Sequence, residues 1–115
     1  AIYRRVSMVQ PEEELTGDIA TGPFLVDSKS RTIYKNGVPI ELTQVEYHIL
    51  EFFIRNRGSA IDRQTLIEKI WGNGYYGDDK IIDVNIRRLR MKIEENPSDP
   101  LYIRTVWGYG YKWMA

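Results

Sequence analysis

Three arginines fall within four positions, at Arg87, Arg88 and Arg90, with Lys80 and Lys92 flanking them and Asp83 as the one acidic residue between. A guanidinium such as that of Arg88 can pair bidentately with guanine O6 and N7. The Asn85 amide can pair with adenine N6 and N7, and Ile81 or Val84 can pack on a thymine methyl. Lys80, Arg87, Arg90 and Lys92 suit phosphates, which fix register without reading sequence. The competing reading is a solvated amphipathic helix with ordinary surface charge. Ile81 and Val84, apolar residues that a core stripe does not need, favour DNA.

This chemistry requires a helix with two faces. Ile82, Ile86, Leu89 and Ile93 recur at spacings of four, three and four and form one buried stripe. Ile81, Val84, Asn85, Arg88 and Lys92 follow a similar rhythm and are expected on the open face, with Arg87 and Arg90 to its sides. Asp78 or Asp79 suits the N-cap, the helix is expected to run to about Glu95, and Asn96-Pro97 ends it. Tyr102–Val106, Trp107–Gly110 and Tyr111–Trp113 then read as strand, turn and strand. In the turn Trp107, Gly108 and Tyr109 would stand foremost, and Thr105, Tyr111 and Lys112 are further candidate contacts to the DNA backbone.

Upstream elements must hold that helix. From Ile19 to Leu42 the signals are for strands, with Phe24-Leu25-Val26 and Thr32–Lys35 as runs and Val38, Ile40 and Leu42 alternating with polar or breaking residues. Asn36-Gly37 marks a two-residue hairpin turn, and Pro39 implies that its side of the strand is unpaired. Thr43-Gln44-Val45-Glu46 reads as a capping box, with Leu42 and Tyr47 spaced as a hydrophobic staple. The helix behind it carries Val45, Ile49, Leu50, Phe53 and Ile54, with Gly58 as its expected closing residue. A second helix starts at Asp62, buries Leu66, Ile67, Ile70 and Trp71, and stops at the glycine-rich run 72–77.

The chain has 115 residues, of which 43% are hydrophobic, enough for one domain with one core. No apolar run reaches membrane-spanning length, and no signal peptide opens the sequence. With no cysteine, disulfides and thiolate metal sites are excluded, which fits a reducing cytosol. Net charge is zero, so any attraction to nucleic acid must come from local clustering rather than from the chain average. Residues 1–18, with little periodicity and the acidic Glu12-Glu13-Glu14, read as a linker or as the tail of a preceding element, and 19–115 as the folded domain.

Two motifs mislead. The run 72–77 matches G-x-G-x-x-G, but a helix precedes it, whereas a dinucleotide site needs a strand there. His48 is the only histidine, which leaves no zinc set and no histidine-based triad. With no nucleophile–base pair and no phosphate cradle, neither an enzyme nor a cofactor is expected.

With these elements in place the chain resembles the C-terminal effector domain of OmpR/PhoB-type bacterial response regulators. Leu42–Tyr47 is similar to the family's "LTxxEF/Y", Ile70-Trp71-Gly72 to "VWG", Asp83–Arg90 to "DVHIRRLR" and Ile103–Tyr111 to "IRTVRGVGY". Spacing is kept from about Ile19 to Trp113, and Ala1–Arg5 resembles the end of a receiver domain's last helix. The resemblance implies an α+β winged helix-turn-helix: an N-terminal four-stranded antiparallel sheet, three helices and a C-terminal β-hairpin wing. It implies sequence-specific binding of double-stranded DNA in a two-component system, with a recognition helix at about 80–95 in the major groove and a wing at 102–113 beside the minor groove. It further implies homodimers on tandem half-sites, an upstream phosphorylatable receiver domain, cytoplasmic location, and RNA polymerase as a candidate partner of Asn73, Gly74, Tyr75 and Tyr76. An upstream receiver is favoured over a membrane-anchored form.

Two departures stand out. The family often has His at Asn85 and Arg at Trp107. An arginine would enter a narrow minor groove electrostatically, and Trp107 cannot; it packs either on a sugar or within the protein. Trp71 is either core or a phosphate donor through its indole N–H, and Tyr111 can be both. Tyr75 and Tyr76 either touch a partner or close over the core. A protein-docking module on the same fold is the competing functional class, motivated by the zero net charge and these tyrosines.

Overall fold

Local sequence signals determine most of the chain's turns. The computed structural model describes residues 18–72, 75 and 77–115. Most of the expected linker at 1–18, together with Asn73, Gly74 and Tyr76 of the glycine-rich run, lies outside the described residues. Strands β1 (Ile19–Thr21), β2 (Phe24–Asp27), β3 (Thr32–Lys35) and β4 (Val38–Ile40) form an antiparallel sheet in sequence order. Asn36 and Gly37 both take positive φ, 53° and 81°, as the turn between β3 and β4 requires. Pro39 lies on edge strand β4 opposite Tyr34, where its missing N–H breaks no central ladder.

Helix α1 (Gln44–Arg55) begins with the expected box. The Glu46 N–H donates to the Thr43 hydroxyl at 3.2 Å, and the Thr43 N–H donates to the Glu46 carboxylate at 3.0 Å. It ends earlier than expected, at Asn56, whose N–H donates to Phe52 and Phe53. Gly58, with φ 84°, instead turns the chain onward and donates its N–H to the Trp113 carbonyl. That turn leads into β5 (Ala60–Asp62), a strand not expected from the sequence, which pairs with the C-terminal hairpin. Asp62 both ends β5 and caps α2 (Arg63–Trp71) by accepting from the Thr65 N–H at 3.1 Å.

Helix α3 (Lys80–Ile93) follows, and then β6 (Ile103–Val106) and β7 (Gly110–Trp113). The second sheet has the order β5-β7-β6. At the start of α3, Asp79 occupies the cap position without a side-chain capping bond, and Asp78 accepts from the Lys80 N–H at 2.9 Å. The helix stops at Ile93, two residues short of the expected end. Glu94 turns away in extended conformation, and its carboxylate accepts from the N–H groups of Leu101, Tyr102 and Ile103. The core joins both sheets and all three helices: Phe24, Ile33, Leu50, Phe53, Leu66, Ile86, Leu89 and Trp113 are buried together. Among the described residues no helix is long and apolar enough to cross a membrane.

Candidate nucleic-acid interface

The predicted stripe of Ile82, Ile86, Leu89 and Ile93 is fully buried and sets how α3 is rotated. The face opposite it carries Lys80, Val84, Arg87, Arg88 and Met91, all exposed. Val84 is 47% and Met91 66% exposed, large values for apolar side chains flanked by two guanidinium groups. Among the described residues neither Arg87 nor Arg88 enters an ion pair. Ile81 is half-buried at the edge of this face. Met91 did not emerge from the sequence, although its spacing of seven, four and three from Val84, Arg87 and Arg88 would have placed it there.

Asn85 is a correction. It is only 7% exposed, and its amide donates to the Ile81 carbonyl one turn back at 2.9 Å. At about 100° per residue, Asn85 lies roughly 70° from the centre of the buried stripe and 115° from the centre of the open one. Grouping it with Arg88 by rhythm put it on the wrong side of that boundary. One of its amide donors is thus used within the helix and the side chain is withdrawn from the open face.

Four other candidates are also committed internally. Arg90 does not point to solvent; its guanidinium donates to the Ile103 carbonyl at 2.9 and 3.1 Å and to the Thr105 hydroxyl at 2.9 Å, and lies 5.5 Å from the Tyr111 ring centre. The Thr105 hydroxyl is thereby engaged. Tyr111 is buried, and its hydroxyl donates to Asp83 at 2.5 Å, while Arg63 donates to the same carboxylate oxygen at 2.9 Å. Burial first, then the Asp83 carboxylate, pushes the Tyr111 phenol up from its ordinary value. The hydrogen bond to Asp83 likewise holds Arg63 more firmly protonated. Lys92 pairs with Glu46 at 2.5 Å. Burial pushes the Glu46 carboxyl up, but Lys92 and the Thr43 N–H outweigh it and hold it below its ordinary value. These side chains tie β6, β7 and α1 to α3.

The wing tip resolves the alternative left open for Trp107. It is 90% exposed and, among the described residues, takes no part in the core. The Tyr109 N–H donates to the Val106 carbonyl at 2.9 Å and Gly108 takes φ 76°, a tight turn with Trp107 at its apex. Tyr109 beside it is 49% exposed. Arg104 and Lys112 are register partners across β6 and β7. Trp71 is half-buried against the core with its ring 5.8 Å from that of Tyr75, whose hydroxyl donates to the Asp78 carbonyl. Tyr75 therefore closes over the core.

Two helices joined by a loop, the second presenting an open cationic face and clamped to a β-hairpin, define a winged helix domain. The chain belongs to the family described as transcriptional regulatory protein, C terminal, whose model matches residues 37–113; these are effector domains of OmpR/PhoB-type regulators. It is 43% identical over 96 residues to the sensory transduction protein RegX3 of Mycolicibacterium smegmatis, covering 84% of this chain and 42% of the relative. It is 37% identical over 108 residues to the transcriptional regulatory protein AfsQ1 of Streptomyces coelicolor, covering 94% and 48%. The chain thus spans less than half the length of these relatives. Among solved structures it is similar to the Klebsiella pneumoniae RstA DNA-binding domain in complex with the RstA box, with TM-score 0.77, 30% identity and coverage of 84% and 96%. It is also similar to the Thermotoga maritima response regulator DrrB, an OmpR/PhoB homolog, with TM-score 0.81, 28% identity and coverage of 95% and 56%.

Proposed function

We propose that this domain binds double-stranded DNA sequence-specifically and so controls transcription, with α3 in the major groove and the wing beside the minor groove. The observation that carries this reading is the open face of α3, where Arg87 and Arg88 are exposed and enter no ion pair among the described residues, beside exposed Val84 and Met91. Such a face costs solvation and contributes nothing to the core, yet it matches the donor, acceptor and methyl pattern of base edges. Arg88 is the base reader, with Val84 and Ile81 as methyl contacts. Lys80, Arg87 and Lys112 take phosphates, and the Trp71 indole N–H donates to one more. Arg90, Lys92, Thr105, Tyr111 and Asn85 position these groups from behind.

The RstA domain, solved with its box, supports the reading by analogy of fold. In the intact protein the domain follows a receiver in a two-component system, works in the cytoplasm, and binds as a dimer on tandem half-sites; the loop at 72–78 is the surface for RNA polymerase. Fluorescence anisotropy on duplex DNA at several salt concentrations tests the central step. Three cations on phosphates give a slope of log K against log[salt] near −2.7, at about 0.9 per phosphate. A flat response would refute the proposal.

A further inference from the structure

We infer that Trp107 is an uncharged anchor of the wing, its indole laid against deoxyribose faces in the wall of the minor groove. The inference rests on the DNA-binding reading and goes beyond it by naming a contact and its chemistry. The other tryptophans are used by the fold: Trp113 is fully buried and Trp71 half-buried, whereas Trp107 is 90% exposed. Tryptophan is among the side chains with the most area to bury, about 150–250 Å². Here that area stands in water at the apex of a hydrogen-bonded turn, not on a slack loop. The Arg90 bonds to β6 and the Tyr111 bond to Asp83 hold the hairpin beneath it against α3. The ring is therefore presented at a set distance from the helix face, as a second point of a rigid two-point grip.

The charge behind the tip identifies the occupant. Arg104 and Lys112 are paired in register, and like charges directly opposite each other destabilise a ladder. Neither has an acidic partner among the described residues. A polyanion offsets that repulsion, and an apolar protein groove does not. An indole cannot neutralise phosphate, but sugar faces flanking the phosphates are apolar and common to every sequence. The contact is accordingly indifferent to base identity and to salt, unlike an arginine, which senses groove width through its potential.

The test compares the 115-residue chain with Trp107→Ala, Trp107→Phe and Trp107→Arg on a duplex with one half-site obtained by selection from a random pool, on the tandem duplex, and on an unrelated duplex. Because the side chain is exposed, all variants should melt as the wild type does. Trp107→Ala should weaken binding about fivefold or more on every duplex, the lower end of what removing a stacked aromatic does, with the salt slope unchanged. Trp107→Phe should keep most of the affinity. Trp107→Arg should steepen the slope by about 0.9 and favour A-tract flanks. Unchanged affinity of Trp107→Ala on the single half-site overturns the inference while leaving DNA binding intact. A loss confined to the tandem duplex also overturns it and assigns the ring to a neighbouring copy. Failure of the wild type on every duplex overturns the DNA-binding reading and this one together.

Discussion

Arg90 and Arg88 lie two residues apart on one helix, but Arg90 is bonded within the fold and Arg88 is exposed. Replacing Arg90 with alanine removes the donors to the Ile103 carbonyl and the Thr105 hydroxyl, and the guanidinium 5.5 Å from the Tyr111 ring centre. Hydrogen bonds from a charged group are worth about 1.5–3 kcal/mol each, and a partly exposed cation–π contact about 0.5–1 kcal/mol. Arg90 is half-buried, and its two acceptors are discounted for solvent access, which brings the expected loss to about 2–4 kcal/mol. Domains of this size hold roughly 5–15 kcal/mol, so the variant still folds at 25 °C. Urea denaturation should show the lower midpoint. Anisotropy should show weaker DNA binding, because the wing no longer holds its register against α3, with the salt slope unchanged. The reasoning is refuted if Arg90→Ala is as stable as the wild type and its slope becomes shallower by about 0.9, the signature of a lost phosphate contact.

Three further outcomes follow from the same contacts. Glu94→Gln leaves one amide oxygen where a carboxylate accepted from the N–H groups of Leu101, Tyr102 and Ile103; about 2–4 kcal/mol should be lost, with faster amide exchange at Ile103. Glu46 titrates below the ordinary 4.5 in the folded chain, so the unfolded chain binds the proton more readily. The stability this contributes is complete above that value and is lost as pH falls through the lowered folded value. Urea midpoints measured downward from neutral pH should fall less steeply in Glu46→Gln, and an identical acid profile would contradict the assignment. Gly110→Ala places a Cβ against the Ile61 carbonyl, with Asp62 Cα at 2.8 Å; prising β5 from β7 should cost about 3 kcal/mol or more, read from a thermal melt.

Features encoded over a few residues are legible in the sequence. The Thr43–Glu46 box, the Asn36-Gly37 turn, the edge position of Pro39 and the buried face of α3 each follow from local steric or hydrogen-bonding rules. What stayed hidden depends on partners distant in sequence. Ala60–Asp62 is a strand because Gly110–Lys112 lies beside it, and three residues carry no alternation of their own. Arg90, Lys92 and Tyr111 look like ligand contacts on chemistry alone; only the packing shows that Ile103, Glu46 and Asp83 already hold them. Asn85 marks the limit of helical periodicity, since a residue at the boundary between two faces is placed by a rotation of α3 that α1 and the wing decide. Trp107 is the converse case: its identity left two readings open, and its exposure closed one.

The central claim is that the open face of α3 reads base pairs. Selection of binding sites from a random duplex pool, run in parallel with the wild-type chain and with Arg88→Ala, tests it most directly. The wild type should enrich one motif, and the variant the same motif with one position relaxed, at a loss of about 1–3 kcal/mol on the wild-type site. No enrichment by the wild type, or an identical motif bound equally well by Arg88→Ala, would contradict the account.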